Sequence, residues 1–221
     1  VQSDANGLAN TYTDGNAKKQ CNTKDFDAEF DRMLVSPVNM FDVFPKSSFI
    51  DVAINDGERI TSLKSFGDRI LQFKNNNMYI INISQDYEYL ESEHKYLGVE
   101  NDYQTCLTEF GVAWVNKNGC YLYDGENITN LIEGKLNSYD TYSYDNEGWS
   151  SFIGDNGMIG YLQELKQIII FQDPASSAEG VDNYQNLGDI MIYDLGTKSW
   201  TRGEGKVNGL PKSNIVMNYD N

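Results

Sequence analysis

The stretch SLKSFGDRILQFKNNNMYIIN, Ser62–Asn82, recurs in altered form as CLTEFGVAWVNKNGCYLYDG, Cys106–Gly125. A leucine and a Phe-Gly pair hold the same places in both copies, and each copy continues as a strand-like run, an asparagine-containing turn and a second run. The period is about 44 residues, which is typical of the four-stranded blades of a β-propeller. Because a single sheet cannot cover both of its faces, the repeat predicts several sheets packed side by side in a radial array.

The segments around the repeat show the same strand and turn chemistry. Short runs rich in β-branched and aromatic residues are bounded by Asn, Gly or Asp, which supply the positive φ angles that tight hairpins need. None of the four prolines lies inside these runs. The predicted strands are Ser48–Ile54, Arg69–Lys74, Met78–Ser84, Val112–Asn116, Cys120–Asp124, Gln167–Gln172 and Asp189–Asp194.

A third, weaker copy of the repeat starts at Tyr161–Gln172 and resumes at Gly188–Gly203, where a turn leads into a strand that carries Trp200. The polar insertion between the two parts, Asp173–Leu187, is predicted to be a loop between the strands of one hairpin. Three copies are fewer than the roughly four to eight blades of a closed propeller. We therefore predict an all-β, β-propeller-like array of antiparallel blades, which is partial unless the flanking segments hold another blade.

The ends of the repeat region divide the chain into two predicted parts. Residues 1–47 form an N-terminal arm and irregular region, and residues 48–221 form the propeller-like blades. The arm starts with the polar stretch Val1–Lys24, which becomes ordered only when it docks on something. Asp25–Leu34 fits a short amphipathic helix, and it fits an irregular acidic loop equally well.

The charge of the chain excludes several classes of function. The 17 Lys and Arg against 33 Asp and Glu give a formal net charge of −16. A field of this sign repels nucleic acid and anionic membranes, so neither is an expected binding partner. The start of the chain lacks the features of a signal peptide, and no apolar run approaches the length of a membrane span. The chain does not begin with Met, so the possibility that it is a fragment or a processed product stays open.

Residues suited to catalysis or metal binding are scarce. His94 is the only histidine, so no Ser/His/Asp or Cys/His set and no typical histidine metal site can be assembled. The three cysteines lack a CxxC spacing; Cys106 and Cys120 lie in strand-like runs and are predicted to be small buried hydrophobic residues. We therefore predict no catalytic residue, no metal site and no cofactor, and we expect that the protein is not an enzyme.

Other candidate motifs are weak when their ordinary structural roles are considered. The carboxylates of Asp25–Asp31 and of Glu88–Glu93 could supply a glycosidase pair, and those of Asp25–Asp31 could bind calcium weakly, but a solvated acidic face explains both clusters better. Ser143–Trp149 resembles the Asp-box turn of sialidases with its spacing off by one. The sequons at Asn82 and Asn127 are interpreted as chance matches. The strand aromatics are predicted to pack in the core rather than to stack on sugars or single strands: Phe73, Tyr79, Trp114, Tyr121 and Tyr123.

The combined motifs resemble a family of tailed-bacteriophage virion proteins known as stabilization proteins. The similar stretches are Phe44–Ser84 and Gly98–Leu131, in the middle of the chain. Their motifs are an Asp-Gly-x-x-Ile-x-x-Leu turn, a Gly-Asp-Arg-Ile-Leu-x-Phe-Lys strand, a Glu-x-Glu-His patch, and a Phe-Gly-Val-Ala-Trp-Val-Asn-Lys-x-Gly-Cys-Tyr-Leu-Tyr-Asp-Gly hairpin. They occupy Asp56–Leu63, Gly67–Lys74, Glu91–His94 and Phe110–Gly125 respectively.

The resemblance implies a structural role in the virion, at the tail or portal vertex, after assembly in the host cytoplasm. Such proteins look like propeller-bearing nozzle subunits, whose rings extend the DNA exit channel and help to hold the packaged genome. The implied partners are portal and tail proteins and further copies of this chain in a homo-oligomeric ring, with DNA passing without specific binding. Two alternatives remain open: a carbohydrate-binding or carbohydrate-cleaving propeller, such as a receptor-binding tail protein, and a cellular propeller that binds peptides.

Overall fold

The computed structural model describes residues 12–14, 17–19, 31–54, 56–85, 87–136, 148–173, 189–205 and 215. Within these residues the regular secondary structure is almost entirely β-strand. The exceptions are one short helix, α1 (Trp149–Ile153), and one 3-10 turn (Asp102–Gln104). The predicted all-β fold class is confirmed.

The strands form two short pairs followed by three four-stranded antiparallel sheets. The pairs are β1 (Tyr12–Asp14) with β2 (Ala17–Lys19), and β3 (Arg32–Leu34) with β4 (Phe49–Asp51). Sheet 1 contains β5 (Ile60–Phe66), β6 (Arg69–Lys74), β7 (Asn77–Asn82) and β8 (Tyr89–Lys95). Sheet 2 contains β9 (Thr105–Thr108), β10 (Gly111–Asn116), β11 (Gly119–Tyr123) and β12 (Ile128–Asn130). Sheet 3 contains β13 (Met158–Leu162), β14 (Gln167–Phe171), β15 (Ile190–Asp194) and β16 (Ser199–Gly203).

Each of the three sheets is a simple meander in which every strand pairs with the next one along the chain. None of them closes on itself. The first strand of sheet 2, β9, contacts both β5 and β13, the first strands of the two neighbouring sheets. Sheets that stand side by side and meet along their first strands have the arrangement of propeller blades. The described residues therefore form a partial propeller-like array, as the repeat predicted.

The side chains of β10 show how one strand joins two neighbouring sheets. Val112 and Trp114 belong to the cluster shared with sheet 1, whereas Ala113 and Val115 belong to the cluster shared with sheet 3. All four are fully buried. Successive side chains of a strand point to opposite faces, so a strand buried on both faces is apolar throughout. Sheet 2 is therefore the centre of the stack.

Sheets 1 and 2 are joined by stacked aromatic side chains. The ring of Trp114 lies 5.4 Å, centroid to centroid, from Phe73 in sheet 1 and 5.4 Å from Tyr121 in its own sheet. The Phe73 contact is edge-to-face, and the Tyr121 contact is stacked. These aromatic geometries add to the free energy gained by burying the rings. The prediction that the strand aromatics pack between the sheets is confirmed.

Sheets 2 and 3 are joined by two tryptophans whose polar atoms are satisfied by backbone carbonyls. Trp149, at the start of α1, donates its indole N–H to the carbonyl of Asn116 at 2.8 Å. Trp200 of β16 donates its indole N–H to the carbonyl of Leu131 at 3.0 Å. The two rings lie 6.0 Å apart. Both tryptophans contribute apolar area; Trp149 also ties the end of β10 to α1, and Trp200 ties the residue after β12 to β16 of sheet 3.

The outer face of sheet 1 is covered by the β3–β4 pair. Met33 and Val52 pack there against Tyr79 and Ile81 of β7. The pair is also held by Lys74, whose fully buried side chain donates to the carbonyl of Ala53 at 2.6 Å and to the Asp56 carboxylate at 2.8 Å. A buried ammonium needs such partners, because burying it unpaired would cost several kcal/mol.

Two glycines that align in the repeat are required for different reasons. Gly67 has φ +57° in the turn before β6, and nothing would contact a Cβ added there. Gly111 has φ +142°, and an added Cβ would lie 1.8 Å from the carbonyl oxygen of Tyr123. The first position is restricted by backbone conformation alone, whereas the second is restricted also by the neighbouring strand.

Several sequence expectations need correction or stay open. Asp25–Leu34 was expected to be a short helix or an irregular acidic loop, and both expectations are wrong at its C-terminal end, because Arg32–Leu34 is strand β3. Of these three residues, Met33 alone packs inward. Residues 25–30, and the insertion after Asp173 up to residue 188, lie outside the described residues. The strands β5, β8, β9, β12 and β13 were not predicted, and β1 and β2 lie in a stretch that was expected to be an irregular arm. The division at residue 47 stays a prediction, although β3 pairs with β4 across it.

Candidate functional site

A cleft of about 180 Å³ lies where sheets 1 and 2 meet, at the end of the stack that carries the β6–β7 and β10–β11 turns. The connection from β8 to β9 reaches the same end, because the strands of a meander alternate in direction. The cleft is lined by Asn75 and Asn76 of the first turn, Asn116–Asn118 of the second, and the connecting residues Tyr96, Gly98, Val99 and Glu100, together with Gln104 and Gly154. Amide side chains thus dominate the lining.

The asparagines of the β10–β11 turn are largely used to hold the cleft together. Asn116 donates its side-chain N–H groups to the carbonyls of Tyr96 at 3.1 Å and Gly98 at 2.9 Å. Its side-chain oxygen accepts the backbone N–H groups of Asn118 and Gly119. Asn118 donates to the Tyr96 carbonyl as well, at 3.1 Å. These bonds fasten the turn of sheet 2 to the segment that leaves sheet 1.

The opposite side of the cleft is fixed by the loop after α1. Gln104 donates to the backbone carbonyl of Asp155 at 3.1 Å and accepts the N–H of Glu100 at 2.8 Å. Lys117 forms an ion pair with the Asp155 side chain, and this hydrogen bond raises the pKa of Lys117. Asp173 accepts the N–H groups of Asp155 and Asn156 and shapes the same loop. All three sheets therefore contribute to one rigid end of the stack.

The chemistry of the cleft suits recognition of a polar group more than catalysis. Among its lining residues there is one carboxylate, Glu100, and no arginine, histidine, serine or cysteine. Tyr96 lies at the cleft with 72% of its surface exposed. Exposed aromatic and amide groups can contact the faces and hydroxyl groups of a sugar, but one carboxylate cannot form the pair that glycoside hydrolysis requires.

The only histidine has an ordinary structural environment. His94 lies on β8, opposite Met78 of β7, and its Nε2 is 2.9 Å from the Ser92 hydroxyl oxygen. Burial lowers the pKa of His94. Among the residues that the structure describes, no three His, Cys, Asp or Glu side chains come together in a way that could hold a metal ion.

One member of the Glu88–Glu93 acidic cluster, Glu91 of β8, is used in pairing across sheet 1. Glu91 accepts hydrogen bonds from Asn82 at 2.8 Å and from the Arg69 guanidinium at 3.0 Å. The Asn82 bond, followed by Arg69, lowers the pKa of Glu91. Asn82 is 95% buried in this contact, which fits its sequon being a chance match. Residues 143–147 of the Asp-box-like stretch, and Asp25–Phe30, lie outside the described residues.

The two cysteines in strands are structural. Cys106 and Cys120 are buried and carry free thiols. Burial raises the pKa of Cys106 to about 12 and that of Cys120 well above its ordinary value. A thiol kept protonated is a poor nucleophile and a poor metal ligand. The prediction that both are small buried hydrophobic residues is confirmed.

A second surface was missed by the sequence analysis, which grouped it with the irregular region. We name residues 34–49 the apolar loop; it connects β3 to β4, and its two end residues pair with each other. Seven of its large apolar side chains are exposed, namely Leu34, Val38, Met40, Phe41, Val43, Phe44 and Phe49. The signal was present in the run Val38–Phe44, which has five large apolar residues in seven positions.

Comparison of the chain with models of known protein families and with curated proteins gives no match. In the part of the chain that the structure describes, no helix has the length and apolarity that crossing a membrane requires. The assignment of a function therefore rests on the residues and their geometry.

Proposed function

We propose that this chain is a structural virion protein of a tailed bacteriophage. It forms part of a ring at the tail or portal vertex, stabilises the packaged genome and contributes to the channel through which DNA leaves. It performs no catalysis and needs no cofactor. Its partners are portal and tail proteins and other copies of itself.

One observation carries the proposal: the stretches that resemble phage stabilization proteins lie at the centre of the stacked sheets. The motif Gly67–Lys74 forms β6 with the turn before it, and Phe110–Gly125 forms the β10–β11 hairpin. Their large side chains, Phe73 and Trp114, are fully buried against each other. These motifs thus serve the rigidity of an array of sheets, which is what a structural ring subunit requires.

The charge of the chain supports a role beside DNA that does not involve gripping it. With 33 acidic against 17 basic side chains, the net charge is −16. A protein that binds phosphates uses clustered Lys and Arg and releases counterions. A wall of the same sign as DNA leaves the polymer mobile, which suits a conduit.

The proposal is tested on purified phage particles. Mass spectrometry is expected to find the chain in the particles, and electron microscopy of particles with a tagged chain is expected to place the tag at the portal vertex or tail. Particles assembled without the chain should package DNA and then lose it. Absence of the chain from particles, or full genome retention without it, would overturn the proposal.

A carbohydrate-binding propeller is the second candidate, and the cleft between sheets 1 and 2 is the observation that favours it. The exposed ring of Tyr96 at the rim of this polar cleft is suited to stacking on the face of a sugar. A glycan array with the wild-type chain and a Tyr96→Ala variant tests this candidate. Specific binding that the variant loses would support it, and an array without any signal would eliminate it.

A further inference from the structure

The apolar loop has a backbone held in shape by its own turns. The N–H groups of Met40, Val43 and Ser48 each donate to the carbonyl three residues earlier, at 3.0 to 3.1 Å. Pro37 and Pro45 provide two of those carbonyls, and their rings fix the backbone further. A loop shaped in this way loses little conformational entropy on binding. It is preorganised for contact with a partner.

None of the large apolar side chains of this loop belongs to the buried clusters of the described chain. Val38 is 88% exposed and Phe41 is 82% exposed, and the other five apolar side chains named above are all between 41% and 54% exposed. Together they present on the order of 800 Å² of surface, since a single aromatic side chain accounts for about 150–250 Å². The summed area equals about one partner's share of a standard protein interface.

The charge around the loop favours a second copy of this chain as the occupant. Residues 34–49 contain one acid, Asp42, and one base, Lys46, so the loop is neutral within a chain of net charge −16. At its base, the Arg32 guanidinium pairs with Asp51 at 2.7 Å and lies 4.0 Å above the Phe49 ring. Two copies repel each other over most of their surfaces, and this apolar patch brings only one carboxylate per copy, Asp42, to the contact, together with one ammonium, Lys46.

We propose that the apolar loop binds the apolar loop of a second copy around a two-fold axis. A two-fold contact uses the same patch on both partners, so one apolar surface per chain is sufficient. The polar cleft described above offers amides and charged groups, which makes it a poor receptor for Val38 and Phe41. The pairing is independent of the virion role. A two-fold pair does not close a ring, so ring assembly requires an additional contact.

Sedimentation velocity over a concentration series from about 1 to 100 µM tests the pairing, because an interface of this size supports micromolar or tighter binding. The perturbed chain carries Val38→Asp together with Phe41→Asp, which places four carboxylates at the pair's centre. The matched control is Leu165→Asp, a 60% exposed leucine in the turn between β13 and β14. We expect dimers for the wild type and the control, and at least tenfold weaker association for the double variant.

A second measurement keeps the test decisive if the double variant is unstable. Phe41→Cys, treated with an added oxidant, should form a cross-linked dimer on a non-reducing gel, whereas Leu165→Cys should form much less. Circular dichroism of every variant checks its fold. A wild-type chain that is monomeric throughout, dimers that persist in a folded double variant, or irregular aggregation without defined stoichiometry would overturn the pairing. None of these results bears on whether the chain is found in phage particles.

Discussion

Replacing Trp114 with alanine tests whether sheets 1 and 2 are held together by packed aromatic side chains. The indole is fully buried, and it contacts Phe73 edge-on and Tyr121 by stacking. Removing a buried aromatic of this size costs about 3–5 kcal/mol, from lost burial and from the cavity left behind. The indole nitrogen has no hydrogen-bond partner, so no hydrogen bond is lost with it. We expect Trp114→Ala to lower the free energy of unfolding by that amount.

The matched variant Trp114→Phe separates the two contributions. Phenylalanine keeps an aromatic ring between the sheets and removes the unpartnered N–H, whose burial costs roughly 1–3 kcal/mol. The smaller ring lowers the free energy of unfolding, whereas removal of the unpartnered N–H raises it. We therefore expect Trp114→Phe to cost less than half of what Trp114→Ala costs.

The assay is equilibrium unfolding in urea, followed by far-ultraviolet circular dichroism. The slope of free energy against urea concentration shows whether a variant unfolds like the wild type. A loss of less than about 1 kcal/mol for Trp114→Ala would refute the packing argument, since no buried large aromatic is that dispensable. An equal loss of unfolding free energy in Trp114→Ala and Trp114→Phe would refute the claim that the indole nitrogen is unsatisfied.

Three further predictions concern turns and the lone histidine. Asp124 and Asp194 each accept two backbone N–H groups in the turns before β12 and β16, and these bonds lower their pKa values. Since the folded pKa lies below the unfolded one, their stabilising effect is complete above about pH 4 and lost as the pH falls through the folded value. Urea midpoints between pH 2 and 6 should therefore vary less with pH in the double Asn variant, and an unchanged profile would contradict this. Gly111→Ala should cost at least about 3 kcal/mol, because the added Cβ meets a backbone carbonyl of β11, whereas Gly67→Ala should cost about 1–2 kcal/mol of backbone strain alone; thermal melting that ranks them oppositely would be inconsistent with the structure. His94→Ala should leave assembly into particles intact, and complete loss of infectivity in a well-folded variant would point to a chemical role for the imidazole.

The central strands were predictable because burial on both faces leaves a strong signal. β6, β10 and β14 are short apolar runs between turn residues, and the structure places them within a residue or two of the predicted bounds. The outer strand β8, with the sequence Tyr-Leu-Glu-Ser-Glu-His-Lys, was not predicted, since an exposed edge strand needs no apolar alternation. Its pairing is specified by β7 and by the Arg69–Glu91 contact across sheet 1.

The cleft and the apolar loop were beyond sequence reasoning for different reasons. Asn116 was correctly assigned to the end of a strand and Asn118 to the turn that follows it, but their bonds to the Tyr96 carbonyl join segments about 20 residues apart, which a local pattern cannot show. The apolar character of Val38–Phe44 is visible in the sequence. The exposure of these side chains is not visible in the sequence, because an apolar run of that length is ordinarily buried.

The amino-acid sequence by itself determined the repeat, the hairpins and the acidic charge, since each depends on residue type and short-range spacing. Only the tertiary structure decided which face of each strand meets which neighbouring sheet, that Lys74 is buried beside Asp56, and that the loop between β3 and β4 keeps its apolar side chains in solvent. Those outcomes depend on contacts between segments far apart in the chain, where the free energy of packing and desolvation overrides local preference.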